Sequence, residues 1–175
     1  MERRRFLLTA SLTLAAPRVM AGSRRRIVIK KSERSMSLEV DGRAARQFEV
    51  ALGLAPLGDK ERMGDRRTPE GEFFVAMKNP RSDYHRFIGL SYPMPPHARR
   101  GRELGIVDDE VVDRVIEATK ARRAPPQTTA LGGFVGIHGG GAGSDWTYGC
   151  IAVSDEEVEW LFDRVRFGDR IVVLP

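Results

Sequence analysis

The residues best suited to chemistry lie close together near the end of the chain, in the stretch IHGGGAGSDWTYGCIAV over 137–153. This stretch contains Cys150, the only cysteine, and His138, which precedes it by twelve positions. A cysteine acts as a nucleophile once a base has converted it to the thiolate, and histidine is the most frequent base. The pair therefore predicts nucleophilic catalysis by a thiol.

Glycines stand next to both residues, with Gly139 after the histidine and Gly149 before the cysteine. Glycine permits tight turns and a close approach of the backbone to a substrate. We expect the backbone N–H groups of Gly149 and Cys150 to hold an oxyanion. A helix predicted to begin at Ser154 would bring its positive end near the thiol, which favours the thiolate.

The same residues allow other interpretations. A cysteine within the apolar run 150–153 can be a small buried side chain, and the glycines can form a connector. They do not form a phosphate-binding loop, because no Gly-Lys-Ser/Thr follows them. Cys150 and the three histidines, His85, His97 and His138, are also possible metal ligands, although no two of them are spaced as a helical or knuckle pair.

Short apolar and alternating runs predict a mostly β domain that positions these residues. The predicted strands cover 26–31, 37–42, 46–53, 72–78, 84–93, 132–139 and 170–175. His138 would end one of these strands, and a sheet holds such a side chain rigidly. Residues 54–71 are predicted to form a long loop, Asn79-Pro80 to end a strand, and 94–107 to be irregular.

Two helices are predicted beside the sheet. The first begins at Asp108 or Asp109 and ends before Pro125-Pro126. Its apolar side consists of Val111, Val112, Val115 and Ile116. The second begins at a capping box of Ser154 and Glu157 and runs through Phe162. Together the elements predict one domain with a mixed sheet or sandwich.

Composition fits this interpretation, since 175 residues with 41% hydrophobic side chains suffice for one globular core. The formal net charge is +5, but four arginines against Glu2 give the first 21 residues +3. The remaining +2 is weak support for a nucleic-acid partner, and we expect none. It is compatible with an anionic polymer as partner.

Residues 1–21 are predicted to be a cleaved signal peptide. Arginines precede the apolar run Phe6–Ala16, which is too short for a permanent membrane span, and small residues follow it. The sequence RRRFL over 3–7 resembles the twin-arginine export signal. We expect cleavage after Ala21, a periplasmic protein of residues 22–175, and membrane contact only during export.

Export changes the expectation for the lone thiol. A chain with one cysteine cannot form an internal disulfide, so Cys150 is either a partner for another chain or a reactive group. An idle exposed thiol would be a liability in an oxidising compartment.

The stretch GIHGGGAGSDWTYGCIAVS over 136–154 resembles the active-site motif of the L,D-transpeptidase catalytic domain family, also called YkuD. His138-Gly139 matches the first part of that motif, and the Thr-x-Gly-Cys of 147–150 matches the second. The segment 58–93, which includes TPEGEF, also resembles the family. The likeness covers roughly residues 27–175.

This resemblance implies a β-rich sandwich of mixed sheets with flanking helices. Cys150 would be the nucleophile, His138 the general base and acid, and the carbonyl of Gly139 would orient the imidazole. The family forms a thioester with peptidoglycan stem peptides at the L-centre of diaminopimelate and releases D-alanine. An amine then takes the acyl group, or water hydrolyses it, and no metal or organic cofactor is used.

One departure from the motif concerns the arginine that usually follows the cysteine by two positions. Here Ala152 takes its place, so a fixed cation near the nucleophile is missing and a substrate carboxylate must be positioned differently. This feature motivates an alternative function, a wall-binding module without catalysis. The short spacer resembles an exported subgroup in which hydrolytic release of a lipoprotein from peptidoglycan is also known, so a wall-linked lipoprotein is a candidate partner.

Further candidates for substrate binding lie on either side of the catalytic pair. Thr147 belongs to the motif itself, and Trp146 and Tyr148 are expected to wall the acyl site, unless they only pack against the glycine loop. Tyr84 and His85 would line the cleft, or else form a surface pair at a strand edge. We expect the protein to be a monomer.

Overall fold

Strands predominate in residues 24–175, the part of the chain that the computed structural model describes. The eight strands are β1 (Arg25–Lys30), β2 (Ser35–Val40), β3 (Arg43–Glu49), β4 (Gly71–Ser82), β5 (His85–Leu90), β6 (Gly136–His138), β7 (Ile151–Ala152) and β8 (Arg170–Leu174). The three helices are α1 (Pro95–Glu103), α2 (Asp109–Lys120) and α3 (Asp155–Arg164). The signal peptide predicted over 1–21 lies outside the described residues, and it stays a prediction.

The strands form one curled sheet in the order β3-β2-β1-β8-β4-β5-β6-β7. The β1–β8 and β6–β7 pairs are parallel, and the other pairs are antiparallel, so the sheet is mixed. This confirms the predicted fold class of a mostly β domain with flanking helices. The site described below lies at the β5-β6-β7 end of the sheet.

The main core is built from alternate residues of the strands, as expected for a sheet with one face covered. Helix α3 covers part of this core with Val158 and Leu161, which are fully buried. The strand residues are Ile27, Ile29, Met36, Leu38, Phe48, Phe73, Val75, Ile88, Leu90, Ile137, Ile151, Ile171 and Val173.

Both predicted helix starts are confirmed. The Ser154 hydroxyl accepts the N–H of Glu157 at 3.2 Å, and the Glu157 carboxylate accepts the N–H of Ser154 at 3.1 Å. At α2, the Asp108 carboxylate accepts the N–H of Val111 at 3.0 Å. Each bond satisfies an N–H group that a first helical turn leaves without a partner.

The prediction that 94–107 is irregular was wrong, because α1 lies within it. Pro95 and Pro96 occupy the first turn, where a missing N–H costs no helical hydrogen bond. The buried side of α1 consists of His97, Ala98 and Gly101, which are not apolar enough to give a helical pattern in the sequence.

The prediction that Asn79-Pro80 ends a strand was also wrong, since β4 continues to Ser82. The pairing with β5 shifts register between Asn79 and Ser82, so Pro80 interrupts no regular ladder bond.

The predicted strand 46–53 is displaced toward the N-terminus, because β3 runs from Arg43 to Glu49, and the predicted strand 132–139 is shorter, because β6 begins at Gly136. Residues beyond β3 instead form isolated bridges, from Ala51 to Ala152 and from Gly53 to Thr147. These bridges bring the start of the predicted loop over 54–71 against the cysteine motif. Within residues 24–175, no helix combines the length and the apolar character needed to cross a membrane.

Candidate active site

His138 is the last residue of β6, and Cys150 lies next to the parallel strand β7. Ile137 pairs with Ile151 and His138 with Ala152, and Cys150 directly precedes β7. Since side chains alternate along a strand, Ile137 and Ile151 face the core, and His138 and Cys150 share the opposite face. By this alternation the imidazole and the thiol are on the same face of the sheet.

The imidazole of His138 is held by the next residue. Its Nδ1 lies 2.6 Å from the carbonyl oxygen of Gly139, and the side chain is only 3% exposed. A proton on Nδ1 donates to this carbonyl and leaves Nε2 as the basic nitrogen. Burial lowers the pKa of His138 below its ordinary 6.5, although the bond to Gly139 acts in the opposite direction. His138 is therefore neutral, and competent as a base, at neutral pH.

Two aromatic side chains enclose the imidazole. Tyr84 stacks on His138 with ring centroids 4.7 Å apart, and Trp146 meets it edge-on at 5.5 Å. The indole N–H of Trp146 donates to the carbonyl of Gly141 at 3.1 Å, which fixes the ring against the glycine loop. Both residues are thus beside the base, where their rings restrict its orientation and border the space above it.

The glycine loop is tied to α3 by Asp155. The Asp155 carboxylate accepts the N–H of Gly140 at 2.9 Å, and Tyr84 O accepts the N–H of Gly139 at 3.0 Å. A Cβ atom on Gly139 would overlap the Asp155 carboxylate, so a larger residue there would displace this carboxylate from Gly140. Asp155 is not among the predicted site residues, and its position in the first turn of a capped helix is the signal that the sequence offers.

The thiol of Cys150 is half-buried, and its Sγ lies 3.5 Å from the carbonyl oxygen of Phe134. Burial raises the pKa of Cys150, while the backbone N–H of Gly136 and the charge of Lys60 lower it. The net direction is upward from 9.0, so the thiol is protonated at neutral pH. The resting pair is a neutral thiol and a neutral imidazole, and a proton must move before the sulfur can attack.

Thr147, predicted to bind substrate, lies underneath the turn that carries Cys150. It is only 2% exposed, and its hydroxyl donates to Cys150 O at 2.8 Å and accepts the N–H of Gly149 at 3.1 Å. Thr68 donates a second, longer bond of 3.3 Å to Cys150 O. Thr147 therefore shapes the turn and does not face the substrate. Because the Gly149 N–H is engaged, Cys150 N–H is the remaining donor of the predicted oxyanion pair.

The turn also packs closely on the loop over 54–70. Gly149 has φ +126°, and a Cβ there would lie 2.7 Å from the carbonyl oxygen of Arg67. Thr68 and Lys60 come from this loop, which the sequence predicts only as a polar connection. Their separation of more than 80 positions from Cys150 leaves no local pattern to indicate the contact.

Of the other predicted substrate residues, Tyr148 is exposed at the surface, and His85 contacts helix α3. Tyr148 is 72% exposed, and the guanidinium of Arg66 lies 5.5 Å from its ring centroid. His85 Nε2 lies 2.8 Å from a carboxylate oxygen of Glu159 on α3. His85 thus belongs to an exposed pair with Glu159 at the start of β5, and it does not form a surface pair with Tyr84, which stacks on His138.

The three histidines have separate environments. His97 is buried beside Phe73, and its Nε2 lies 3.1 Å from Glu70 O. Throughout the described range 24–175, no three His, Cys, Asp or Glu side chains converge as metal ligands.

Ala152 is fully buried, and its backbone pairs with Ala51, so position 152 presents no cation.

Comparison with known proteins links this geometry to one family. A sequence model of the L,D-transpeptidase catalytic domain (YkuD) matches residues 24–173. No curated protein matches the chain. Solved structures with the same fold include an L,D-transpeptidase from Xylanimonas cellulosilytica, with a TM-score of 0.53 and 18% identity over 91% of this chain and 64% of that one.

Two further structures resemble the chain. The helical cell shape determining protein Pgp2 from Campylobacter jejuni has a TM-score of 0.59 and 20% identity, over 87% of this chain and 48% of its own. L,D-transpeptidase 3 from Mycobacterium tuberculosis has a TM-score of 0.51 and 14% identity, over 88% of this chain and 62% of its own. The chain thus spans about half to two thirds of these proteins, and the likeness concerns the fold.

Proposed function

Because the chain belongs to the L,D-transpeptidase catalytic domain family, we propose that it is a cysteine acyltransferase acting on peptidoglycan stem peptides. The observation that carries this proposal is the placement of His138 at the end of β6 and of Cys150 directly before the parallel strand β7, with His138 Nδ1 bonded to Gly139 O at 2.6 Å. A base with a fixed tautomer beside a lone thiol is the arrangement that thioester formation requires.

The first half-reaction forms a thioester. His138 Nε2 takes the proton of the Cys150 thiol, and Sγ attacks the carbonyl carbon at the L-centre of diaminopimelate. The N–H of Cys150 donates to the resulting oxyanion. The C–N bond to D-alanine then breaks, and the imidazolium returns its proton to the leaving amine.

The second half-reaction transfers the acyl group to an amine. The imidazole removes a proton from the acceptor, whose nitrogen attacks the thioester carbon. The C–S bond then breaks, and the thiolate recovers the proton from His138. Water in place of the amine would hydrolyse the thioester instead. If the amine that leaves in the first half-reaction is a lysine of a wall-linked lipoprotein in place of D-alanine, this hydrolysis completes the release of that lipoprotein.

Aromatic side chains on either side of the catalytic pair form the proposed substrate walls. Tyr84 and Trp146 border the imidazole, and Tyr148, two positions before Cys150, is exposed to a ligand. Ala152 supplies no charge for a substrate carboxylate, and we expect substrate preference to differ from that of members with an arginine at this position. The proposed place of action is the periplasm, reached by the twin-arginine route.

The experiment is incubation of the purified protein with tetrapeptide muropeptides, followed by measurement of released D-alanine. We expect release by the wild type and none by the Cys150→Ala variant. Mass spectrometry of the products, with an amine acceptor present in water, then separates transfer from hydrolysis. Equal release by both proteins refutes the proposal, and binding to peptidoglycan without release indicates a wall-binding module.

A further inference from the structure

The loop over 54–70 contains a buried cation, Lys60. Its side chain is only 4% exposed, and its ammonium donates to Asp65 Oδ1 at 2.6 Å and to Arg62 O at 3.0 Å. Burial of an ammonium group costs several kcal/mol before its partners compensate it. A loop that only connects two strands has no need of such a group.

Lys60 lies beside the turn that carries the thiol. The position that a Cβ of Gly149 would occupy is 3.8 Å from Lys60 Nζ. The Cε of the lysine packs near Gly132, two residues before Phe134, whose carbonyl oxygen lies 3.5 Å from Cys150 Sγ. The ammonium is therefore enclosed between the loop and the segments that surround the sulfur.

Asp65 holds the lysine without fully neutralising it. Its carboxylate also accepts the backbone N–H groups of Glu61 at 2.8 Å, Arg62 at 3.1 Å and Arg67 at 3.1 Å. These three dipoles share the negative charge with Lys60. Part of the field of the ammonium thus remains to act on its other neighbour, the Gly149–Cys150 turn.

We propose that Lys60, held in place by Asp65, stabilises the Cys150 thiolate while the imidazole holds the proton. Lys60 is in this sense a positioning residue, since it acts through the sulfur and does not contact the substrate. The proposal rests on the proposed function in taking Cys150 as the nucleophile.

The effects of burial and charge on the pKa of Cys150 agree with this geometry. Burial raises the pKa of Cys150, and Lys60 is the charged side chain that lowers it. The other titratable or charged groups facing this region are His138 on β6, Asp65 behind the lysine, and Arg66, which lies over the ring next to Gly149. Because the environment is partly dry, one fixed charge has a larger effect here than in water.

Alkylation of the thiol tests the proposal, because Cys150 is the only cysteine in the chain. The rate of reaction with iodoacetamide is measured against pH for the wild type, Lys60→Met and Lys60→Arg. We expect the midpoint for Lys60→Met to rise and the midpoint for Lys60→Arg to stay near the wild type. At a pH below the midpoint, a rise of the midpoint by one pH unit makes alkylation about tenfold slower.

Lys31 provides a matched control, since it is the other buried lysine that bonds to this loop. It is 2% exposed, and its ammonium donates to Gly58 O, Thr68 O and the carboxylate of Glu70. Lys31→Met removes a cation of equal burial, so it reports the effect of loosening the loop. We expect its alkylation midpoint to equal that of the wild type.

Lys60→Gln is a second variant, because its amide can still donate to Asp65 and to Arg62 O while the positive charge is lost. We expect its midpoint to rise, as that of Lys60→Met does. The proposal is overturned if folded Lys60→Met has an unchanged midpoint, or if Lys31→Met raises it equally. If Lys60→Met does not fold by circular dichroism, Lys60→Gln decides alone, and an unchanged or lowered midpoint overturns the proposal.

These measurements need no peptidoglycan, so they are independent of the proposed activity. If no D-alanine is released although the midpoints shift as expected, the proposed function fails and the electrostatic role of Lys60 stands. If D-alanine is released and the midpoints do not shift, the electrostatic role of Lys60 fails and the proposed function stands.

Discussion

Replacing Thr147 by valine tests whether this buried residue shapes the nucleophile turn. The change preserves the branched shape but removes the hydroxyl, which bonds Cys150 O at 2.8 Å and Gly149 N at 3.1 Å. Without it the Gly149 N–H is buried with no acceptor, which costs about 1–3 kcal/mol. Cys150 O keeps the bond from Thr68 at 3.3 Å, so losing the bond from Thr147 to this oxygen is the smaller part of the cost in stability. We expect the free energy of unfolding to fall by about 2–3 kcal/mol.

Urea denaturation followed by tryptophan fluorescence measures this change, and D-alanine release measures the effect on the turn. Thr147→Ser is the matched control, because serine retains both hydrogen bonds and loses about 1 kcal/mol of methyl burial. We expect the valine variant to lose kcat and the serine variant to keep it. A valine variant as stable as the wild type would refute the role of Thr147 in shaping the turn. Equal increases in KM for both variants, with unchanged stability, would refute it as well.

Three further predictions concern the base, the glycine loop and acid stability. Because burial lowers the pKa of His138, the acidic limb of kcat/KM should lie below pH 6.5, and a limb above that value contradicts the buried base. Gly139→Ala should abolish D-alanine release, since its Cβ would overlap the Asp155 carboxylate, whereas Gly143→Ala, with no atom within 4 Å of its Cβ, should leave activity unchanged. Burial raises the pKa of Asp59, but hydrogen bonds from His97 and two backbone N–H groups outweigh it and lower the pKa below 3.8. Its ionised form therefore adds stability that is fully present above the unfolded pKa and is lost as the pH falls through the folded pKa. Asp59→Asn should flatten the loss of stability below about pH 4, measured by thermal unfolding at several pH values.

The sequence is informative wherever the physical cause is local. The Ser154–Glu157 capping box depends on residues three positions apart, and the structure shows both of its bonds. The bond from His138 to Gly139 O likewise joins adjacent residues, as the motif implies. The capping box follows from short-range geometry, whereas the bond to Gly139 O is implied by the resemblance to the family motif.

Other features depend on contacts between distant parts of the chain. Lys60 and Thr68 reach the cysteine turn only because bridges from Ala51 and Gly53 bring the preceding segment against it. His85 is next to Tyr84 in sequence, yet it bonds to Glu159 on α3 while Tyr84 stacks on the base. Residue type and spacing contain no information on such partners, since the partners are set by how the sheet curls.

If Cys150 forms a covalent acyl intermediate with a stem peptide, the mass of the protein itself reveals it. The protein is mixed with a tetrapeptide muropeptide, quenched in acid, digested and mapped by mass spectrometry. We predict an adduct equal to the donor minus D-alanine on the peptide that contains Cys150, sensitive to hydroxylamine as a thioester should be. An absence of this adduct while D-alanine is released, or the same adduct on the Cys150→Ala protein, would contradict the account.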